Sequence, residues 1–73
     1  MKKTLYSKEQ KYIIEKLKEA RIKSNFDQVK VAKLLGRTQS DISKIEAGQR
    51  KIDIILLKEF ARIYKKDIGY FIK

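Results

Sequence analysis

The fold of this chain is decided by residues 26–53, which read FDQVKVAKLLGRTQSDISKIEAGQRKID. Apolar side chains recur in this stretch at the three- and four-residue intervals that mark one face of an α-helix. The run breaks at Gly36-Arg37-Thr38 and resumes after it. We therefore predict two short helices, at residues 28–35 and 39–47, joined as a helix-turn-helix.

Residues at the ends of these two segments are suited to starting and stopping a helix. Asp27 and Thr38 each precede a segment, where a side-chain oxygen can accept hydrogen bonds from the free amides of the first turn. Gly36 and Gly48 follow the segments, where glycine readily adopts the left-handed backbone that ends a helix. The end signals and the hydrophobic spacing therefore predict the same boundaries.

Three further helices are predicted on either side of this centre. Ile13, Leu17 and Ala20 repeat at helical spacing in the first, and Ser7 with Gln10 fits a capping box at its start. The predicted ranges are 8–24, ending at Asn25; 54–65, capped by Asp53; and 68–72, capped by Asp67. Because no alternating strand pattern occurs, we expect an all-α, compact five-helix fold. We expect one domain over residues 1–73, with its core at 8–72 and a flexible basic arm at 1–7.

The charge balance limits what the chain can bind and catalyse. Nineteen Lys and Arg against nine Asp and Glu give a formal net charge of +10 in 73 residues, which favours a polyanionic partner. Histidine and cysteine are both absent, so the commonest general base and two common metal ligands are missing. We therefore expect no enzyme activity, metal, cofactor or small-molecule effector. No apolar run approaches the ~20 residues of a membrane-spanning helix, so we expect no membrane partner and a cytoplasmic location.

The order of residues in the central stretch resembles the lambda-repressor/Cro-like helix-turn-helix family, also called XRE-type. The shared pattern is, in order, Gln28, Ala32, Leu35-Gly36, Thr38-Gln39-Ser40, Ile42, Ser43-Lys44-Ile45-Glu46, Gly48 and Arg50. The resemblance extends over about residues 13–71 and implies sequence-specific binding of double-stranded DNA. Such proteins usually bind a near-palindromic operator as a homodimer, and a transcriptional repressor is the simplest function of this kind.

The resemblance places base contacts at Gln39, Ser40 and Lys44, on the second helix of the motif. A glutamine amide can donate to and accept from one adenine, and a serine hydroxyl can bond several base edges. Lys44 lies five residues beyond Gln39, where it can reach a guanine or a flanking phosphate. The alternative is that Gln39 and Ser40 are simply polar residues of a first helical turn.

Candidate contacts to the DNA backbone flank these three residues. The resemblance gives Gln28 a phosphate contact and a role in bracing Gln39. Thr38 begins a helix, and a helix N-terminus attracts anions. The remaining candidates are the cations Arg37, Arg50 and Lys51. Any one of these cations can equally be solvated surface, but as a set they can supply much of the affinity.

Two acidic residues are expected to have structural roles. Asp41 follows Thr38 by three residues and fits a capping-box partner, with a bond to a cytosine amino group as the alternative. The family's pattern pairs Arg21 on the first helix with Glu46 at the end of the third. A bidentate pair of this kind would fix the angle of the recognition helix.

The C-terminal tail carries an apolar cluster, Tyr70, Phe71 and Ile72, with little chain left to cover it. Exposed apolar clusters often mark a partner surface. We therefore predict that the tail forms a dimer interface. The alternatives are that it frays or packs back onto the core.

The same fold also permits other functions, because activators and restriction–modification controllers share it. The second function we consider is an antitoxin or accessory protein, which would bind a toxin or another protein as well as DNA. The extra tail that often binds the toxin is not evident in this sequence, which favours the transcriptional regulator.

Overall fold

This computed structural model describes residues 8–72 of the chain. They form five α-helices and the turns that connect them. They are α1 (Lys8–Lys23), α2 (Gln28–Leu35), α3 (Gln39–Glu46), α4 (Ile54–Tyr64) and α5 (Gly69–Ile72). Residues 8–72 contain no strand, and each helix begins and ends within one residue of its predicted range, so the all-α prediction is confirmed. The predicted arm at 1–7 and the capping role of Ser7 lie outside the described residues.

Side-chain caps explain where three of the helices begin. In each case an oxygen of the preceding residue accepts a hydrogen bond from the backbone amide three residues ahead, which satisfies an otherwise free donor. The pairs are Asp27 with Lys30 at 2.8 Å, Thr38 with Asp41 at 3.1 Å, and Asp53 with Leu56 at 2.8 Å. All three caps were predicted from sequence.

Left-handed backbone marks the predicted stops at Asn25 (φ 61°) and Gly36 (φ 68°). At Gly36 it lets the amide of Arg37 bond the carbonyl of Ala32 at 2.8 Å, which turns the chain from α2 into α3. Lys65 also has left-handed backbone (φ 57°) at the end of α4, although it is not a glycine or an asparagine.

The core lies between α4 and the buried faces of the other helices. Its largest fully buried side chains are Phe60, Phe71, Leu17, Ile42, Ile45 and Val31. Burying one large apolar side chain contributes about 1.5–3 kcal/mol. Ile42 and Ile45 are the inward side of α3, so the packing that stabilises the fold also determines which face of α3 points outward.

Helix α5 corrects the sequence prediction for the tail. Phe71 is 0 % exposed and belongs to the core, and Tyr70 packs against that core from its edge. Only Ile72 of the three residues is exposed, at 47 %. The prediction of an exposed cluster is therefore wrong for Phe71. Helix α5 folds back against α1, which places the Phe71 side chain inside the core. The dimer interface itself stays a prediction.

Candidate nucleic-acid interface

The outward face of α3 carries the three predicted base-contacting residues. Gln39, Ser40 and Lys44 are all exposed, whereas Ile42 and Ile45 on the opposite face are 0 % and 1 % exposed. Gln39 and Ser40 occupy the first turn, the end of a recognition helix that reaches base edges in the helix-turn-helix docking geometry. The structure therefore brings the three side chains together on one polar surface.

Ser43 belongs to the same surface, although it was not among the contacts predicted from sequence. It is exposed and lies three residues after Ser40 and four after Gln39, so the three side chains are neighbours on the helix. Helical spacing from Gln39 was the signal that could have found it. Its hydroxyl can both donate and accept a hydrogen bond.

A buried polar network holds the C-terminal end of α3. The Arg21 Nε donates to Glu46 Oε2 at 2.8 Å, and Arg21 Nη1 donates to the carbonyl of Phe26 at 3.1 Å. The side chain of Glu46 is only 5 % exposed and that of Arg21 is 17 % exposed. The predicted Arg21–Glu46 pair is therefore present and connects α1 directly to α3. It is held by one hydrogen bond and not by the expected bidentate contact, because Arg21 Nη1 bonds the Phe26 carbonyl instead.

Gln28 completes this network from the first turn of α2. Its Nε2 donates to Glu46 Oε1 at 3.2 Å, so both carboxylate oxygens of Glu46 accept hydrogen bonds. The resemblance had implied that Gln28 braces Gln39. In the structure, Gln28 bonds Glu46, which lies at the opposite end of α3 from Gln39. The network joins α1, α2 and α3 and fixes the position of the exposed face of α3.

Tyr64 of α4 lies in the core next to this network. Its ring centroid is 6.0 Å from that of Phe60 and 6.2 Å from that of Phe26. Its hydroxyl is buried and has no hydrogen-bond partner among the described residues. Burial, together with the nearby Glu46 carboxylate, raises the pKa of this hydroxyl well above its ordinary value.

The cations that flank α3 are arranged around Asp41. Arg37 Nη1 lies 3.1 Å from Asp41 Oδ2, and Arg50 Nη2 lies 3.2 Å from Asp41 Oδ1. The expected capping box is therefore present in one half: the Thr38 hydroxyl caps the Asp41 amide. The Asp41 carboxylate bonds the two arginines, because both guanidinium groups lie within reach of it. Lys51 is exposed and lines the cleft beside them.

Residues 8–72 contain neither a candidate metal site nor a candidate membrane span. No group of three or more metal-ligating side chains that could hold an ion occurs in this part of the chain. None of its helices is long and apolar enough to cross a membrane.

Comparisons with known proteins agree with this geometry. The family model described as helix-turn-helix matches residues 17–71. The comparison with curated proteins gave no match.

Among solved structures, the iron(II) form of a protein named HppE has a TM-score of 0.81 and 24% identity, over 89% of this chain and 35% of that one. Its cobalt(II) form in complex with Tris buffer has a TM-score of 0.82 and 24% identity, over 92% and 38%. This chain therefore spans little more than a third of the length of those chains, and the likeness concerns the fold. On the match of the family model over most of its length, the chain belongs to the lambda-repressor-like helix-turn-helix family of DNA-binding proteins.

Proposed function

We propose that this protein is a transcriptional repressor that binds a near-palindromic operator as a homodimer, with α3 of each copy in the major groove. The observation that carries the proposal is the exposed polar face of α3, held in position by the buried Arg21–Glu46 pair. Repression follows by occlusion, because a dimer that covers the operator blocks the polymerase from that DNA.

Base recognition in this proposal comes from Gln39, Ser40 and Lys44. The Gln39 amide pairs with an adenine through one donor and one acceptor, while Lys44 reaches a guanine or a phosphate. Both side chains are exposed, so neither needs to break a core contact to enter the groove.

Affinity comes mainly from contacts with phosphates. Thr38 and Gln28 lie at the starts of α3 and α2, and Arg37, Arg50 and Lys51 add positive charge on both sides of α3. Neutralising phosphates releases condensed counterions, so each such contact steepens the dependence of binding on salt. The net charge of +10 favours this term.

A homodimer extends the sequence that is read. The eight residues of α3 span about 12 Å, roughly the rise of four base pairs, which is too short to define a unique site alone. Two copies related by a two-fold axis would read two inverted half-sites about one helical turn apart.

We also propose that the chain has no catalytic activity. Its proposed location is the cytoplasm, together with the DNA that it binds.

Selection of random duplex DNA by the purified protein, at about physiological salt, tests this function. The expected result is an enriched motif of two inverted half-sites spaced by about ten base pairs, with a dimer on that DNA in sedimentation. Absence of enrichment, together with binding that vanishes as salt rises, would contradict the proposal. Co-purification of a small partner protein would then favour the antitoxin or accessory role.

A further inference from the structure

Asp41 is bonded to two arginines that come from opposite ends of α3. Arg37 lies just before the helix, and its Nη1 donates to Asp41 Oδ2 at 3.1 Å. Arg50 lies beyond the end of the helix, and its Nη2 forms an ion pair with Asp41 Oδ1 at 3.2 Å. The Asp41 side chain is 20% exposed, whereas those of Arg37 and Arg50 are 34% and 49% exposed. The carboxylate therefore sits in a cleft with a guanidinium group on each of its oxygens.

This arrangement uses the same chemistry as binding to the DNA backbone. A carboxylate and a phosphate are both anions whose oxygens accept charge-assisted hydrogen bonds from guanidinium groups. Arg37 and Arg50 precede and follow α3 in the chain and are both exposed, so in the proposed docking DNA phosphates would approach the same two side chains. A phosphate can bond either arginine fully only by weakening its bond to Asp41.

We infer that Asp41 is an internal competitor for DNA phosphates. By holding Arg37 and Arg50 in the free protein, it lowers affinity for DNA of any sequence. The competition acts on phosphate contacts, which carry no sequence information, and leaves the base contacts of Gln39 and Ser40 unchanged. The inference rests on the proposed function, because it assumes that α3 faces the major groove.

The fold allows this role to be separated from the role of Asp41 in the helix. Its backbone amide, not its carboxylate, bonds the capping hydroxyl of Thr38 at 3.1 Å. Replacing the carboxylate with an amide of the same shape therefore leaves the cap of α3 in place. Asp41→Asn removes the negative charge that holds the two arginines.

The test measures the affinity of Asp41→Asn for a duplex that contains no operator, over a series of salt concentrations. We expect affinity at low salt to rise about tenfold, and the slope of log K against log salt to steepen by one to two, since each freed arginine adds about 0.9. Replacing Arg37 and Arg50 with glutamine in the same variant should abolish the gain.

Glu59→Gln is the matched control. Glu59 lines the same cleft, but it is not within ion-pair distance of either arginine, and its replacement changes the net charge equally. It should raise affinity by less and leave the slope nearly unchanged. The inference is overturned if Asp41→Asn weakens binding to this duplex, or if its effect equals that of Glu59→Gln. The selection of an operator tests the proposed function, whereas this comparison needs no operator, so either can fail alone.

Discussion

Tyr64 shows how one buried atom can reduce stability without disturbing the packing around it. Its ring stacks on that of Phe60 and packs at a tilt against that of Phe26, but its hydroxyl is buried and has no hydrogen-bond partner among the described residues. A buried polar group left without a hydrogen bond costs about 1–3 kcal/mol. The ring therefore stabilises the folded state, whereas the unpaired hydroxyl destabilises it.

We expect Tyr64→Phe to raise the free energy of unfolding by about 1 kcal/mol, measured by chemical denaturation. The pKa of Tyr64 is raised in the folded state, so the folded protein holds this proton more tightly than the unfolded chain. The stability that this difference contributes is fully present below the unfolded pKa of about 10. It is lost as the pH rises above that value, toward the raised pKa of the folded state. The variant should lose less stability in that alkaline range.

Tyr12→Phe is the control for this prediction, because Tyr12 is an exposed tyrosine, at 38 %. It should change the free energy of unfolding by less than about 0.5 kcal/mol. A clear loss of stability in Tyr64→Phe would mean that the hydroxyl is hydrogen-bonded after all.

Helix boundaries were predictable here because their causes are local. Asp27, Thr38 and Asp53 each cap an amide three residues ahead, so sequence spacing alone identifies them. The partner of the Asp41 carboxylate depends instead on where the chain places Arg50 after α3 has ended. Likewise, the four residues of α5 make barely one turn, which is too short for periodicity to reveal that Phe71 is buried.

The Arg21–Glu46 pair tests how α3 is held against α1. We expect Arg21→Met to lower the free energy of unfolding by about 3 kcal/mol, because Glu46 would remain buried without its charged partner. Combining it with Glu46→Leu should restore most of that loss, since two apolar side chains need no pairing. Denaturation of the single and double variants measures both effects.

The double variant also separates stability from function. If the pair fixes the angle of α3, the double variant should bind operator DNA more weakly than the wild type even where its stability has recovered. An Arg21→Met protein as stable as the wild type would contradict the account of a buried, energetically coupled pair.

The short α5 closes the assembly of helices by covering the core from the side of α1. Phe71 is fully buried. The Nζ atoms of Lys16 on α1 and of Lys66 lie 5.1 and 4.9 Å from the centroid of the Tyr70 ring. The negative face of the Tyr70 ring attracts both ammonium groups. The tail is therefore part of the folded unit, and a partner surface here would have to use Ile72 and the edge of Tyr70.

We expect Phe71→Ala to lower the free energy of unfolding by about 3 kcal/mol, because it leaves a cavity in the core. In a domain of this size that lowers the Tm by more than about 10 °C. Ile72→Ala, at the neighbouring exposed position, should cost under about 1 kcal/mol. Thermal denaturation of the two variants tests whether Phe71 belongs to the core. Equal decreases in Tm for the two variants would contradict that assignment.

The central claim is that Gln39 on the outward face of α3 reads a base. The most direct measurement is the selection of random duplex DNA by the wild type and by Gln39→Ala in parallel, at about physiological salt. We predict that the variant's motif loses its preference at one base pair in each half-site, and that it binds the wild-type motif about 1–3 kcal/mol more weakly. Enrichment of the same motif by both proteins, or an equal loss of affinity on every duplex, would contradict the claim.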